Sequence, residues 1–106
     1  ECECMDMELV KSLCQDSTLE VTDHIMKQMR KRSISYEEVK QAIMTGEVIE
    51  DYPTAYPYPA ALLLGITLAG RKLHVVIGVG EDRLWLVTTY VPDPTRWDET
   101  LCIRKE

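Results

Sequence analysis

The sequence predicts an α+β domain: a short N-terminal helix and a helical hairpin packed on a four-stranded antiparallel sheet, with a short C-terminal helix. Three observations carry that reading. Apolar residues recur at helical spacing as far as Gly46, and from Val48 onward the period changes to two. The third is length, since 106 residues support one hydrophobic core that helices and sheet must share. The domain organisation is therefore a single unit over 1–106, with a helix and linker over 1–20, a core over 21–97 and a tail over 98–106.

The first helix lies within Asp6 to Gln15, where Leu9, Val10, Leu13 and Cys14 share a face. Thr22 caps the second, and Asp23 sits in its first turn, where negative charge suits the helix dipole. Ile25, Met26 and Met29 form its apolar stripe, while Lys27, Arg30, Lys31 and Arg32 gather toward its C-terminal end, where cations are favoured. Ser35 opens the third helix with Glu38 three residues on, a capping-box pattern. Val39, Ala42 and Ile43 face inward there, and Gly46 stops it. Only Ser33 and Ile34 separate the second helix from this cap, so the two form a tight hairpin.

Four strands follow, over Glu47 to Tyr52, Ala60 to Leu68, Lys72 to Val79 and Arg83 to Val91. The proline-rich YPTAYPYP between the first two reads as a loop, because proline cannot donate to a ladder. A two-residue turn at Ala69-Gly70 pairs Ile66 with Leu73, Leu64 with Val75 and Leu62 with Ile77. A turn centred on Glu81-Asp82 pairs Val79 with Leu84, Ile77 with Leu86 and Leu73 with Tyr90. In this register one face is almost wholly aliphatic and takes the helices. The other carries Leu63, Gly65, His74, Val76, Gly78, Trp85, Val87 and Thr89. Such a face is too apolar to stand bare in water, so the tail, a second copy or a partner covers it. In the tail, Asp93 and Pro94 read as a cap and first helical position, with Pro92 and Trp97 placed as a hydrophobic staple.

The formal charge of −6 opposes general nucleic-acid binding, which needs a basic surface. The longest apolar run, Ala60 to Leu64, is far too short to cross a membrane. Four cysteines without a secretory signal suit a reducing, cytoplasmic setting with free thiols. Cys2, Cys4 and Cys14, with His24, do not follow the spacing of zinc knuckles, so neither a metal nor another cofactor is expected.

Four segments, TDHIMKQMRKRSISYEEVKQAIMTGEVIEDYP, LLLG, LHVVIGV and TTYVPDPTRWD, carry a resemblance. They resemble a widespread prokaryotic family of small proteins of unknown function, marked by H-A-x-x-R-M-x-x-R-x-I-S, a G-E-V-I-E-x-Y-P strand and a closing T-x-Y-x-P-D-P-x-x-W. The resemblance runs from Val21 to Trp97 and places His24, Arg32, Thr89, Tyr90, Asp93 and Trp97 on recurring positions. Gln28 stands where the family commonly has Arg, Ile25 where it has Ala, and Ser33 where Gly ends the helix. The family is similar in layout to the RelE and BrnT toxins. That similarity implies a toxin-like member of a toxin–antitoxin type pair, with a small antitoxin-like protein as partner and metal-independent cleavage of RNA as the activity.

A metal-free ribonuclease needs a base for the ribose 2′-hydroxyl, an acid for the leaving oxygen and cations for the phosphorane. His74 is the candidate acid or base, standing between Gly65 and Thr89 in the expected register with space before it. Arg32 and Arg83 are the candidate phosphate contacts; Tyr90 is expected on the opposite face from His74. His24, Thr89 and Trp85 are candidate binding residues. Each also has a purely structural reading: a sheet histidine hydrogen-bonded to its neighbours, or an arginine holding helix carbonyls or a carboxylate such as Glu50 or Asp51. A non-enzymatic module is the alternative, engaging a partner or a second copy through the mixed sheet face or the Pro-Tyr loop. The helical hairpin also has the layout of a DNA reader, but its second helix opens with Glu37 and Glu38, which phosphate would repel.

Overall fold

The computed structural model describes residues 7–56 and 58–97. The elements run α1 (Met7–Leu13), β1 (Leu19–Glu20), α2 (Asp23–Lys31), α3 (Tyr36–Thr45), β2 (Glu47–Tyr52), β3 (Ala60–Ile66), β4 (Lys72–Val79) and β5 (Leu84–Tyr90). The architecture is α+β, but among the described residues the sheet has five strands, in the order β1-β5-β4-β3-β2, not the expected four. The extra strand, β1, is two residues long and lies parallel to β5, with Leu19 opposite Leu84 and Glu20 opposite Trp85. Two residues are too short to display a period, so only the pairing reveals it.

Both helix starts form as the sequence predicts. The Thr22 side chain accepts from the Ile25 N–H, and Ser35 and Glu38 complete a reciprocal capping box. Helix α2 ends in a six-residue C-terminal wrap: the Ile34 N–H donates to the Met29 carbonyl at 2.9 Å and the Ser33 N–H to Arg30 at 3.2 Å. Met29 and Ile34, which this wrap brings together, are both buried. The motif needs a left-handed residue, and Ser33 supplies it at φ 58°.

The β3–β4 connection departs from expectation by one residue. Its loop is Leu68-Ala69-Gly70: Thr67 N–H donates to Arg71 O, Gly70 N–H donates to Thr67 O, and Gly70 adopts φ +87°. The pairs become Leu64 with His74, Leu63 with Val75 and Leu62 with Val76. Because strand side chains alternate, this slip turns β3 over relative to β4. Ala61 and Leu63 now join Leu73, Val75, Ile77, Leu84 and Leu86 in the helix-facing core, with Val10, Val39, Ala42 and Ile43 above them. Leu62 and Leu64 move to the other face.

Gly65 also lies on the helix side, and it explains how closely α3 can approach. A Cβ there would stand 1.9 Å from the Ala42 carbonyl oxygen and 2.5 Å from its carbonyl carbon. Strand β5 follows the expected register from Val79–Leu84 to Ile77–Leu86, then bulges. Beyond the bulge Val75 faces Thr89 and His74 faces Tyr90, in place of the expected Leu73–Tyr90 pair. After β5, residues 94–96 form a turn rather than a helix, tied by Asp93, whose Oδ1 accepts from the Thr95 N–H at 2.9 Å and Oγ1 at 2.8 Å. The rest of the predicted C-terminal helix lies outside the described residues.

Two substitutions test this packing by thermal unfolding. Ser33→Gly relieves the left-handed backbone and should stabilise by about 0.5–1 kcal/mol, raising Tm by several degrees. Gly65→Ala should destabilise by roughly 3 kcal/mol, because backbone rather than a flexible side chain blocks the added methyl.

Candidate functional site

The side of the sheet away from the helices divides into a closed end and an open end. At the closed end His74 is 0% exposed. Its ring meets the Trp97 indole edge-on, with centroids 4.4 Å apart, and the Tyr90 ring at 5.3 Å. His74 Nδ1 and the Tyr90 hydroxyl are 3.4 Å apart. Trp97, 3% exposed, is delivered by the turn that Asp93 ties, so local hydrogen bonding in the tail is what closes this end. Two expectations are corrected here. Tyr90 shares a face with His74 because of the β5 bulge, and the space expected before His74 is filled.

The other candidates do not gather around His74. Thr89 is buried on the helix side; its Oγ1 donates to the His74 carbonyl at 2.9 Å and its own carbonyl accepts from Arg32 at 2.9 Å. Arg32 also reaches the Thr88 hydroxyl, at 3.3 Å, which ties the end of α2 to β5. Arg83 sits at the far end of the β4–β5 hairpin, ion-paired with Glu20 and donating to the Ser17 carbonyl, so it staples β1 to β5. His24 is exposed on α2, with Nε2 3.2 Å from the Gln28 amide nitrogen.

An arginine that the sequence did not single out holds the helical hairpin. Arg71, just after the β3–β4 loop, donates to the Ser33 carbonyl at 2.6 Å and the Arg32 carbonyl at 3.3 Å. The same guanidinium pairs with Glu38 at 3.2 Å. Glu38 is held below the ordinary carboxylate range, first by the Ser35 N–H and then by Arg71. The signal that could have found it is distant in sequence: a capping glutamate with a spare oxygen and an arginine in a strand turn.

The open end is floored by one cross-strand row, Tyr52–Ala60–Gly78–Trp85. Above it the Tyr58 ring lies against Trp85, nearly parallel at 11° with centroids 6.1 Å apart. Ala55, Tyr56, Leu86 and Val87 complete a groove of about 510 Å³, with no charged side chain among the described residues that line it. Tyr56 is 96% exposed and Val87 47% exposed. Trp85, expected as a binding residue, and the Pro-Tyr loop thus meet in one place.

Cys14 is a buried free thiol, and Cys2, Cys4 and Cys102 lie outside the described residues. Among the described residues no group of three His, Cys, Asp or Glu side chains could hold a metal ion, and no helix is long and apolar enough to cross a membrane.

Fold and site together define a small α+β domain whose sheet is packed by helices on one side and half bare on the other. The chain belongs to the DUF4258 family, described as a domain of unknown function, which it matches over residues 21–91. No curated protein and no solved structure matches it.

Two outcomes follow from this geometry. Diethylpyrocarbonate should modify His24 and spare His74 in the native protein, and Trp97→Ala should make His74 reactive while costing roughly 3 kcal/mol of stability; mass spectrometry reads both. Because the Glu38 carboxyl is depressed in the folded state, its contribution is present above the ordinary glutamate pKa of about 4.3 and is lost as pH falls through the lower folded value. Glu38→Gln should cost about 1 kcal/mol at pH 7 and flatten the loss of Tm on acidification below about pH 4.

Proposed function

We propose that this chain is a non-enzymatic interaction module that docks a partner protein on the open end of its sheet. The observation that carries the reading is the uncharged groove under Tyr58 and Trp85, rimmed by the exposed Tyr56 and Val87. Monomeric proteins seldom leave clustered aromatic and aliphatic side chains in water without use for them, and aromatic anchors dominate interface energetics. A partner-dependent role also suits the resemblance to RelE and BrnT toxins, whose activity is governed by a small antitoxin-like protein. A homodimer through the same face is the competing occupant.

Ribonuclease chemistry of the type proposed from that resemblance draws less support. It needs His74 beside the phosphate cations on an open cleft, whereas His74 is enclosed and Arg32 and Arg83 are engaged at separate ends of β5. The purified chain should therefore leave mixed RNA intact over hours. Cleavage that disappears in both His74→Gln and Arg32→Ala would restore the enzymatic reading.

The docking reading is tested by panning a random peptide library against the wild-type chain and against Val87→Asp, which places a carboxylate on the groove rim without disturbing the core. Enrichment on the wild type that the variant loses supports the reading. Equal enrichment on both, or a monomer–dimer equilibrium that Val87→Asp abolishes and no peptide enrichment, removes the partner-docking assignment.

A further inference from the structure

The chemistry of the groove lining narrows its occupant. Its polar side-chain groups are the Trp85 Nε1–H, which can only donate, and the Tyr56 and Tyr58 hydroxyls, which can donate or accept; none of the three hydrogen-bonds another described residue. Gly80 lies beside these groups: a Cβ there would stand in ordinary contact, 3.6 Å from Trp85 Nε1 and 3.4 Å from the Tyr58 ring. The floor of Ala60 and Gly78 is apolar, and neither residue offers a side chain that could accept a hydrogen bond. An indole donor and two hydroxyls free to donate, over an apolar floor, suit a chain that presents carbonyl acceptors and few N–H donors. Proline-rich segments in the polyproline II conformation are such chains, and their preformed shape lowers the entropy lost on docking to aromatic grooves.

Charge narrows it again. The segments that bound the groove, 50–60 and 76–88, carry Glu50, Asp51, Glu81 and Asp82 against one cation, Arg83. That cation is already paired with Glu20. Glu81 and Asp82 are exposed in the turn that follows Gly80, which itself lies beside Trp85 Nε1 and the Tyr58 ring. A ligand with basic residues beside its prolines meets this turn favourably, and an acidic one is repelled. The chain's own proline-rich loop, 52–59, has the right apolar character but no basic residue and follows Glu50 and Asp51, so a second copy is the poorer fit.

Resting on the docking reading above, we propose that the groove binds a proline-rich segment of a partner protein flanked by Lys or Arg. The Trp85 and Tyr58 rings take the proline face, Trp85 Nε1–H and the tyrosine hydroxyls donate to its carbonyls, and Glu81 and Asp82 meet the flanking cations.

The probe is a synthetic twelve-residue peptide with a Pro-x-x-Pro centre and two Lys or Arg on one side, titrated into the full chain by calorimetry and by ¹H–¹⁵N shift mapping. Saturable binding with shifts centred on Trp85, Gly78 and Gly80 is expected. Affinity should fall at least tenfold in Tyr56→Ser combined with Val87→Asp, both rim changes that leave the core intact. It should fall at least threefold when the peptide's cations become Glu, and again in Glu81→Lys with Asp82→Lys. Binding that survives replacement of both prolines by Ala, or that ignores the rim variants, overturns the proposal. If this peptide fails while library peptides of another composition enrich in a Val87-dependent way, the partner class is wrong and the docking reading stands; if neither binds, both fall.

Discussion

Helix α3 and strand β3 meet backbone to backbone at Ala42 and Gly65, and that approach governs the side chains of the whole sheet. With no room for a Cβ at this point, only glycine can lie beneath Ala42. A one-residue shift of β3 would bring Leu64 or Ile66 there, so the register that pairs Gly65 with Leu73 is the one the helix permits. Ala61 and Leu63 are then forced inward, and Leu62 and Leu64 outward. The three-residue loop with its left-handed Gly70 is consistent with the same register from the other side. Local turn chemistry and tertiary packing agree, as expected for a sequence that specifies one structure.

That register, with the bulge in β5, places Tyr90 beside His74 and so gives the outer face two unlike ends. Around His74 the aromatic rings of Tyr90 and Trp97 close over the sheet. Around Trp85 a single tyrosine from the proline-rich loop stacks on the sheet and leaves a groove beside it. The arginines have structural employment: Arg32 ties α2 to β5, Arg71 clasps the helical hairpin and Arg83 holds the short parallel strand. Of the cations gathered near the end of α2, Arg32 is the one tied into the fold, while Arg30 and Lys31 lie in the last turn, where positive charge suits the helix dipole.

Much of this was legible in the sequence wherever a local rule applied. The caps at Thr22 and Ser35, the stop at Gly46, the spans of β2 and β4 and the turn at Glu81-Asp82 all form where residue chemistry places them. The register was not legible, because β3 and β4 are apolar on both faces. Leu62, Leu63 and Leu64 read alike whichever way the strand is turned, so hydropathy could not correct a wrong loop length. The bulge after Leu86 and the two-residue β1 leave no periodic trace either. At the site, Trp85 and the Pro-Tyr loop could be named separately, yet their stacking depends on that register. The tail's Trp97 was expected to anchor a helix; its actual role, as the cover of His74, depends on a strand it follows by only a few residues.

The central claim is that one end of the outer face is sealed and the other is open, and the two tryptophans report on one end each. Acrylamide quenching of fluorescence in Trp97→Phe, which keeps Trp85, and Trp85→Phe, which keeps Trp97, separates them. The account predicts strong quenching of Trp85 and a several-fold smaller quenching constant for Trp97. Comparable quenching of both, or a protected Trp85 beside an accessible Trp97, would contradict it.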